Sequence, residues 1–323
     1  MPALHRLEFP VDFPPGHVAA YVVTGPEPIL IDAGPMGEAG ESVLREALMG
    51  IGLEIADIEH LLFTHFHTDH VGQTEFIRSA AAPTIHLPAT FRQRLALSEE
   101  EVRRRAQESL QRTGLDPTEV DAALVNIAPP HGRMRTQLPP SAVDHWFEPG
   151  SAIDVGGRTF QPLHTPGHDE THVSYLLESE DKSVLVAGDM ALRPFRTWIV
   201  RTGWINGLET AVADFEAALD RLATVDADTV YPGHGPVHAE LKPTIDRDRA
   251  GLQRRLDHCA AAVPDAGSTA ADIARSLGRD APTVERLLPE VVAALDALER
   301  TGRVAIDSSD GVRRYHATTA GST

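Results

Sequence analysis

Apolar residues in this chain fall into short runs that end at glycine, proline or polar turns, with stretches of helical period between them. Residues 18–23 and 29–31 are two such runs around Thr24-Gly25-Pro26-Glu27-Pro28, which predicts two strands joined by a turn. Over residues 38–49, Ala39, Val43, Leu44, Ala47 and Leu48 recur at helical spacing, and Gly50 and Gly52 stop that helix. Residues 58–64 predict the next strand, 71–82 a helix leaving it, and 83–87 another strand. Beyond residue 150 strand signals dominate, at 151–155, 158–164, 172–178 and 183–187, with Gly156-Gly157 and Glu180-Asp181-Lys182 as turns. A helix over 208–222, a strand over 229–231 and a long helix over 239–263 follow.

Two stretches break this alternation. Residues 88–149 hold a highly charged helical segment at 91–110, a second helix over 117–125, and a Pro- and Gly-rich loop carrying His131, Arg133 and Arg135. A charged helix is ordinarily a solvated face, but one inserted between core strands is also a candidate lid or substrate wall. Pro264-Asp265-Ala266-Gly267-Ser268 reads as a linker, dividing the chain into residues 1–263 and a small module over 264–323. That module predicts helices over 269–277 and 283–299 around Gly278-Arg279-Asp280-Ala281-Pro282. A hairpin of 302–306 with 312–316 follows, turning at Ser308-Ser309-Asp310-Gly311. Helices followed by a two-stranded wing resemble a winged-helix module, a shape that serves packing as readily as recognition.

The strand over 58–64 runs straight into His65-Phe66-His67-Thr68-Asp69-His70. Side chains of a strand alternate, so these donors converge only if the chain turns into a loop directly after it. His65 and His67 then face one cation, and Asp69 and His70 are presented to a second. Three later junctions of strand and loop add one donor each beside small residues. They are His168 in Thr165-Pro166-Gly167-His168, Asp189 after Gly188, and His234 in Pro232-Gly233-His234-Gly235. Five histidines and two aspartates suffice for two divalent cations sharing a carboxylate, with room for a bridging solvent molecule. Such donors favour Zn²⁺ and also suit Fe²⁺ or Mn²⁺.

Composition narrows the field. A chain of 323 residues can bury a substantial core, and a net charge of -18 disfavours nucleic acid and anionic membranes. The single cysteine, Cys259, lies in a helical pattern and builds neither an intrachain disulfide nor a thiolate metal site. No run approaches the roughly eighteen apolar residues of a membrane span, and the N-terminus lacks the apolar centre of a signal peptide. A cytoplasmic location is the expectation.

Through the T-H-x-H-x-D-H string at residues 64–70 and the later donor junctions, the chain resembles the metallo-β-lactamase superfamily, in its binuclear hydrolase branch, over about residues 15–240. The resemblance implies an α+β fold, a four-layer αββα sandwich with the metals at one edge between the sheets. It implies His65, His67 and His168 on the first ion, Asp69, His70 and His234 on the second, and Asp189 bridging them. Asp32, in Ile31-Asp32-Ala33-Gly34, would support the histidine loop from behind. The C-terminal module resembles the winged-helix-like extension of the β-lactamase-like protein 2 subgroup, some members of which are endoribonucleases. Its seven arginines against nine acidic residues lack the positive balance of a phosphate-binding module.

The expected activity is attack by a metal-bridging hydroxide on a small ester, thioester or lactone. Asp69 and Asp189 are the expected catalytic carboxylates, Asp189 as the bridge the resemblance implies and Asp69, or a bound water, as the proton carrier. Phosphodiester or RNA hydrolysis and β-lactam hydrolysis are the alternatives. Tyr21 and, after the bridging aspartate, Arg193, Phe195, Arg196 and Trp198 are the candidate substrate contacts, suited to an apolar acyl group with one anionic group. The expected partner is a small molecule, without membrane or nucleic acid. An apolar stripe of Val284, Leu287, Leu288, Val291 and Leu295 leaves a homo-oligomer open.

Overall fold

Alternation along the strands decides how the layers stack. The computed structural model describes residues 4–178, 182–198, 204–205, 208–278, 281–308 and 310–318. Among these, β1 (Leu4–Pro10), β2 (His17–Val23), β3 (Ile29–Ile31), β4 (His60–Leu62), β5 (Thr84–Pro88) and β6 (His145–Phe147) form one sheet in chain order. Pairing is antiparallel up to β3 and parallel from there on. A second sheet has the order β11-β10-β9-β8-β7, from β7 (Ile153–Val155), β8 (Arg158–His164), β9 (Val173–Glu178), β10 (Ser183–Gly188) and β11 (Thr229–Pro232).

Along β2, Ala19, Tyr21 and Val23 turn inward to meet Phe160, Tyr175, Val184 and Val186 of the other sheet. Val18, Ala20 and Val22 turn outward. The second sheet repeats the rule, with Leu185 and Ala187 outward between inward Val184 and Val186. Both faces of both sheets are apolar, so each must be covered. Helices α1 (Glu38–Gly50), α3 (Thr74–Ala81) and α4 (Phe91–Ala96), the last two preceded by the single turn α2 (Thr68–Val71), cover the first sheet with Leu44, Leu48, Ile77, Phe91 and Leu95. On the second sheet, α8 (Ala211–Ala223) and α9 (Leu241–Ala262) supply Phe215, Leu219, Ile245 and Leu252. The result is an αββα sandwich.

The insertion differs from its sequence pattern in two places. The expected helix over 91–110 is broken: α4 stops at extended Leu97, and Ser98 caps α5 (Glu99–Gln111) by accepting the Glu101 N–H at 3.1 Å. After α6 (Pro117–Val125), the expected loop is a helix, α7 (Ala128–Gln137). Pro129 and Pro130 sit in its first turn, where a missing N–H costs no helical hydrogen bond. From α7, His131 donates Nε2–H to the Leu97 carbonyl at 3.1 Å, and Arg135 donates to the Leu95 carbonyl at 3.0 Å. Ala106 and Leu110 of α5 join the core under α8 and α9, so the insertion is packed onto the body.

The C-terminal module comprises α10 (Ala270–Leu277), α11 (Ala281–Arg300) and a small sheet ordered β12-β14-β13. Its hairpin strands are β13 (Val304–Asp307) and β14 (Arg314–Ala317), and the expected linker contributes the third, β12 (Ser268–Thr269). The stripe considered for self-association is spent inside the chain. Leu288, Val291 and Leu295 are buried in the same core as Phe215, Leu252 and Leu256, and Leu287 packs at its margin. The side chain of Val284, and positions 180–181, 279–280 and 309 of the expected turns, lie outside the described residues. No helix among the described residues is long and apolar enough to cross a membrane. Replacing Leu295 by Ala is expected to cost about 2–5 kcal/mol in denaturant unfolding, the scale of a buried large-to-small change. A cost near zero would mean that the stripe is not part of this core.

Candidate metal centre

The carboxyl ends of β3, β4, β10 and β11 meet at one end of the sandwich, and each leads into a donor or its support. Beyond β4 the chain runs through His65 and His67, then coils into α2, which carries Asp69 and His70. Beyond β10 comes Asp189, beyond β11 His234, and the turn between β8 and β9 carries His168. The seven donors gather in two groups whose ligand atoms lie within 4.8 Å of one another: His65, His67, His168 and Asp189, then Asp69, His70 and His234. Asp189 reaches both, with Oδ2 at 3.1 Å from His168 Nε2 and 3.4 Å from His234 Nε2, and Oδ1 at 3.4 Å from His70 Nε2.

Four of the five imidazoles are hydrogen-bonded from behind, which places the proton of a neutral ring on its outer nitrogen. Asp32 accepts the Thr64 N–H at 2.7 Å and the Thr64 hydroxyl at 2.8 Å. That hydroxyl has spent its proton, so it accepts from His65 Nδ1 at 3.0 Å. Asp32 also accepts from His70 Nδ1 at 2.8 Å. His168 Nδ1 donates to the Trp198 carbonyl at 2.9 Å, and His234 Nδ1 to the His17 carbonyl at 2.6 Å. His67 Nε2 faces Asp169 Oδ2 at 3.4 Å. With outer nitrogens protonated, the inner ones present lone pairs. His65 Nε2 and His168 Nε2 converge on His67 Nδ1, at 2.9 and 3.1 Å, and a single proton on that atom can serve only one of them well. Buried His70 Nε2 and Asp189 Oδ1 make no hydrogen bond. Crowded ring nitrogens and unsatisfied buried atoms are what divalent cations would reconcile. The donor set fits a binuclear metal site.

Charge follows the same geometry. Burial pushes the His65 imidazole well below its usual range, helped by neighbouring His70 and His67. Burial opposes protonation of His70 and His234 as well, but the carboxylates overcome it. Asp189, Asp32 and Asp69 raise His70 well above normal, and Asp189 and Asp69 lift His234 to about 10. Burial favours neutral Asp189, yet His234, His70 and His168 hold it well below the carboxylate range. The same carboxylates that favour protons on His70 and His234 would favour cations in their place.

Three supporting residues carry no signal of their own in the sequence. His172 Nε2 accepts the Asp189 N–H at 3.0 Å, and burial lowers that imidazole to about 3, keeping it an acceptor. Asp169 backs His67, and His17 supports His234 through its carbonyl. Glycine makes the close approach possible. Gly188, at φ 54°, would set a Cβ 2.5 Å from His172 Nε2, and at Gly233 a Cβ would overlap Asp189 Oδ1.

Residues 13–234 match the model of the metallo-beta-lactamase superfamily. The chain belongs to that superfamily. It is a metal-dependent hydrolase with a binuclear site. It is 26% identical over 265 residues to the probable metallo-hydrolase YqjP of Bacillus subtilis, covering 78% of this chain and 79% of that one. It is 25% identical to an atrochrysone carboxyl ACP thioesterase of Aspergillus fumigatus, covering 73% of this chain but 42% of that protein. With a beta-lactamase-like protein 2 homolog of Caenorhabditis elegans it shares 24% identity, covering 69% of this chain and 57% of the other. The structure of a superfamily member from Thermus thermophilus superposes with a TM-score of 0.78 at 25% identity, covering 98% of this chain and 99% of that one. A beta-lactamase domain protein from Burkholderia ambifaria shares the fold, with a TM-score of 0.77 at 21% identity over 98% of this chain and 92% of the other.

The expected substrate contacts of this superfamily member divide. Tyr21 is withdrawn from the role: it is buried between the sheets, and its hydroxyl donates to the Pro232 carbonyl at 2.6 Å, bracing the strand before His234. Arg193 is paired with Glu240, and Arg196 with Glu290, so neither is an open anion receptor. Phe195 packs beside Gly235, next to His234. Trp198 stays 38% exposed.

Two outcomes follow from the outer bonds. Asp32→Ala removes the shared anchor of His65 and His70 and should weaken metal binding by about 10–100-fold in chelator competition. Wild-type affinity would rule Asp32 out as a support. Cation binding should also expel the protons on His70 and His234, so affinity falls as pH is lowered. Calorimetry in buffers of different ionisation enthalpy reads that release, and identical heats would contradict it.

Proposed function

We propose that this hydrolase acts on a small ester, thioester or lactone with an apolar acyl portion. The observation that carries the reading is the character of the surface beside the donors. Trp198 stays exposed while its carbonyl holds His168, and the Phe13 ring lies edge-on, 6.2 Å from the His234 ring. Aromatic surface beside His168 and His234, with both nearby arginines already paired, suits an apolar acyl group better than a phosphate. The likeness to a protein named as a carrier-protein thioesterase supports the same class.

In this reading His65, His67 and His168 hold one ion, Asp69, His70 and His234 the other, and Asp189 both. Two divalent cations there, with Zn²⁺ favoured, supply Lewis acidity and a water acidified toward neutral pH. The chain's own part is to aim five imidazole lone pairs from fixed outer acceptors, so little reorganisation is needed as charge develops. Asp69 is the more accessible of the two carboxylates and is our candidate to carry the proton.

We read residues 264–323 as a winged-helix-like module used for packing. Four of its seven arginines are turned to carboxylates: Arg275 to Glu119, Arg303 to Asp257, Arg313 to Asp296 and Arg314 to Asp310. That arrangement argues against a phosphate-binding face.

A side-by-side kinetic panel of acyl-thioesters, lactones, activated esters, β-lactams, phosphodiesters and short RNAs tests the class. The expected result is the highest kcat/KM among the acyl thioesters, esters and lactones. A phosphodiester, RNA or β-lactam far above them would overturn it. On the best substrate, Asp189→Ala should lower kcat/KM by at least about a hundredfold, the scale of losing one transition-state donor, with circular dichroism unchanged.

A further inference from the structure

The loop that runs from Asp189 to Trp198 leaves one metal donor and ends on the carbonyl that fixes another. Its first part is gripped by the body of the sandwich. His238 Nε2 donates to the Ala191 carbonyl at 2.9 Å, Arg247 Nη2 donates to the Leu192 carbonyl at 2.6 Å, and Arg193 pairs with Glu240. Its last part is gripped from the C-terminal module. Both amino groups of the Arg196 guanidinium donate to the Glu290 carboxylate of α11, at 2.8 and 2.9 Å. The same guanidinium lies over the Trp198 ring, 4.6 Å from its centroid. Trp198 in turn accepts from His168 Nδ1 at 2.9 Å.

We infer that Glu290 is a positioning residue for the metal centre, acting through Arg196 and Trp198 to hold His168 as a donor. The inference rests on the ligand assignment proposed above for His168. Three features support it. A two-pronged arginine–carboxylate pair fixes direction as well as distance, which a single contact does not. Glu290 is buried at 6% exposure and also faces Arg255 Nη1 at 3.9 Å, a buried atom without a hydrogen bond. Removing the carboxylate charge therefore takes away the anion that Arg196 and Arg255 share, and frees the part-exposed Arg196 to turn toward solvent. Finally, stacking couples the guanidinium to the Trp198 ring, so displacement of Arg196 moves the residue whose carbonyl orients His168.

Glu290→Gln keeps the side-chain shape and removes the charge. Competition against a chromophoric chelator should show one of two zinc equivalents weakened by about tenfold, the other unchanged. In the cadmium-loaded protein, one of two ¹¹³Cd resonances should shift or broaden. Arg196→Ala cuts the same link from the loop side and should reproduce both effects, and the double variant should add nothing to either. Glu119→Gln, which cuts a different pair between the insertion and the C-terminal module, should leave affinity and both resonances as they were. Wild-type affinity and an unshifted spectrum in Glu290→Gln and Arg196→Ala would overturn the relay alone. So would an equal loss in Glu119→Gln, which would reveal general loosening. A single resonance in the wild-type protein would overturn the two-ion assignment and the relay with it.

Discussion

Five imidazole rings can aim bare nitrogens at one buried point only if each gives its proton to something behind it. That constraint organises this end of the molecule. Asp32 and the carbonyls of Trp198 and His17 are those acceptors for four of the rings, Asp169 faces the fifth, and all come from four separate segments. Asp32 is the most heavily used, serving His65 through the Thr64 hydroxyl and His70 directly. It takes a left-handed backbone, φ 63°, to do so. Strain of that kind persists where the surroundings over-determine it.

The sandwich is suited to this task because its inner layer is dry and rigid. Inward residues such as Tyr21, Ile31, Leu62, Phe160 and Tyr175 lock the two sheets together beneath the donors. Buried hydroxyls tie that layer to the site, with Tyr21 on the Pro232 carbonyl and Tyr175 on the Phe63 carbonyl at 2.7 Å. Burial weakens solvent screening, so each charge at the site acts strongly on the next. The outer layers are unequal. The insertion reaches both, with Phe91, Leu95 and Met134 in the first cover, while the second also fuses α8 and α9 with the C-terminal module in a continuous core.

Much of this is legible in the sequence, for physical reasons that also explain the rest. Unbroken apolar runs such as Ile29-Leu30-Ile31 mark strands buried on both faces. In β1 the alternation of Leu7 and Phe9 is diluted by Arg6 and Glu8, so that strand does not stand out from its pattern. Prolines disguise α7, since they break helices everywhere but the first turn. The stripe on α11 shows its periodicity but not its partner, which lies in helices distant in the chain. The donors are legible because imidazole and carboxylate at strand ends advertise their chemistry. Their outer partners are harder to find: Trp198 and His17 act through carbonyls, which every residue owns. Tyr21 and Arg196 suit a substrate pocket by side-chain type, but tertiary contacts have claimed both.

These seven donors are placed to hold two ions. Metal analysis of protein purified without chelator, joined to anomalous scattering from its crystals, tests that claim directly. About two equivalents per chain are expected, as two scattering peaks roughly 3.5 Å apart between Asp189 and the two histidine groups. A single fully occupied ion, with His234 or Asp69 turned away from it, would contradict it.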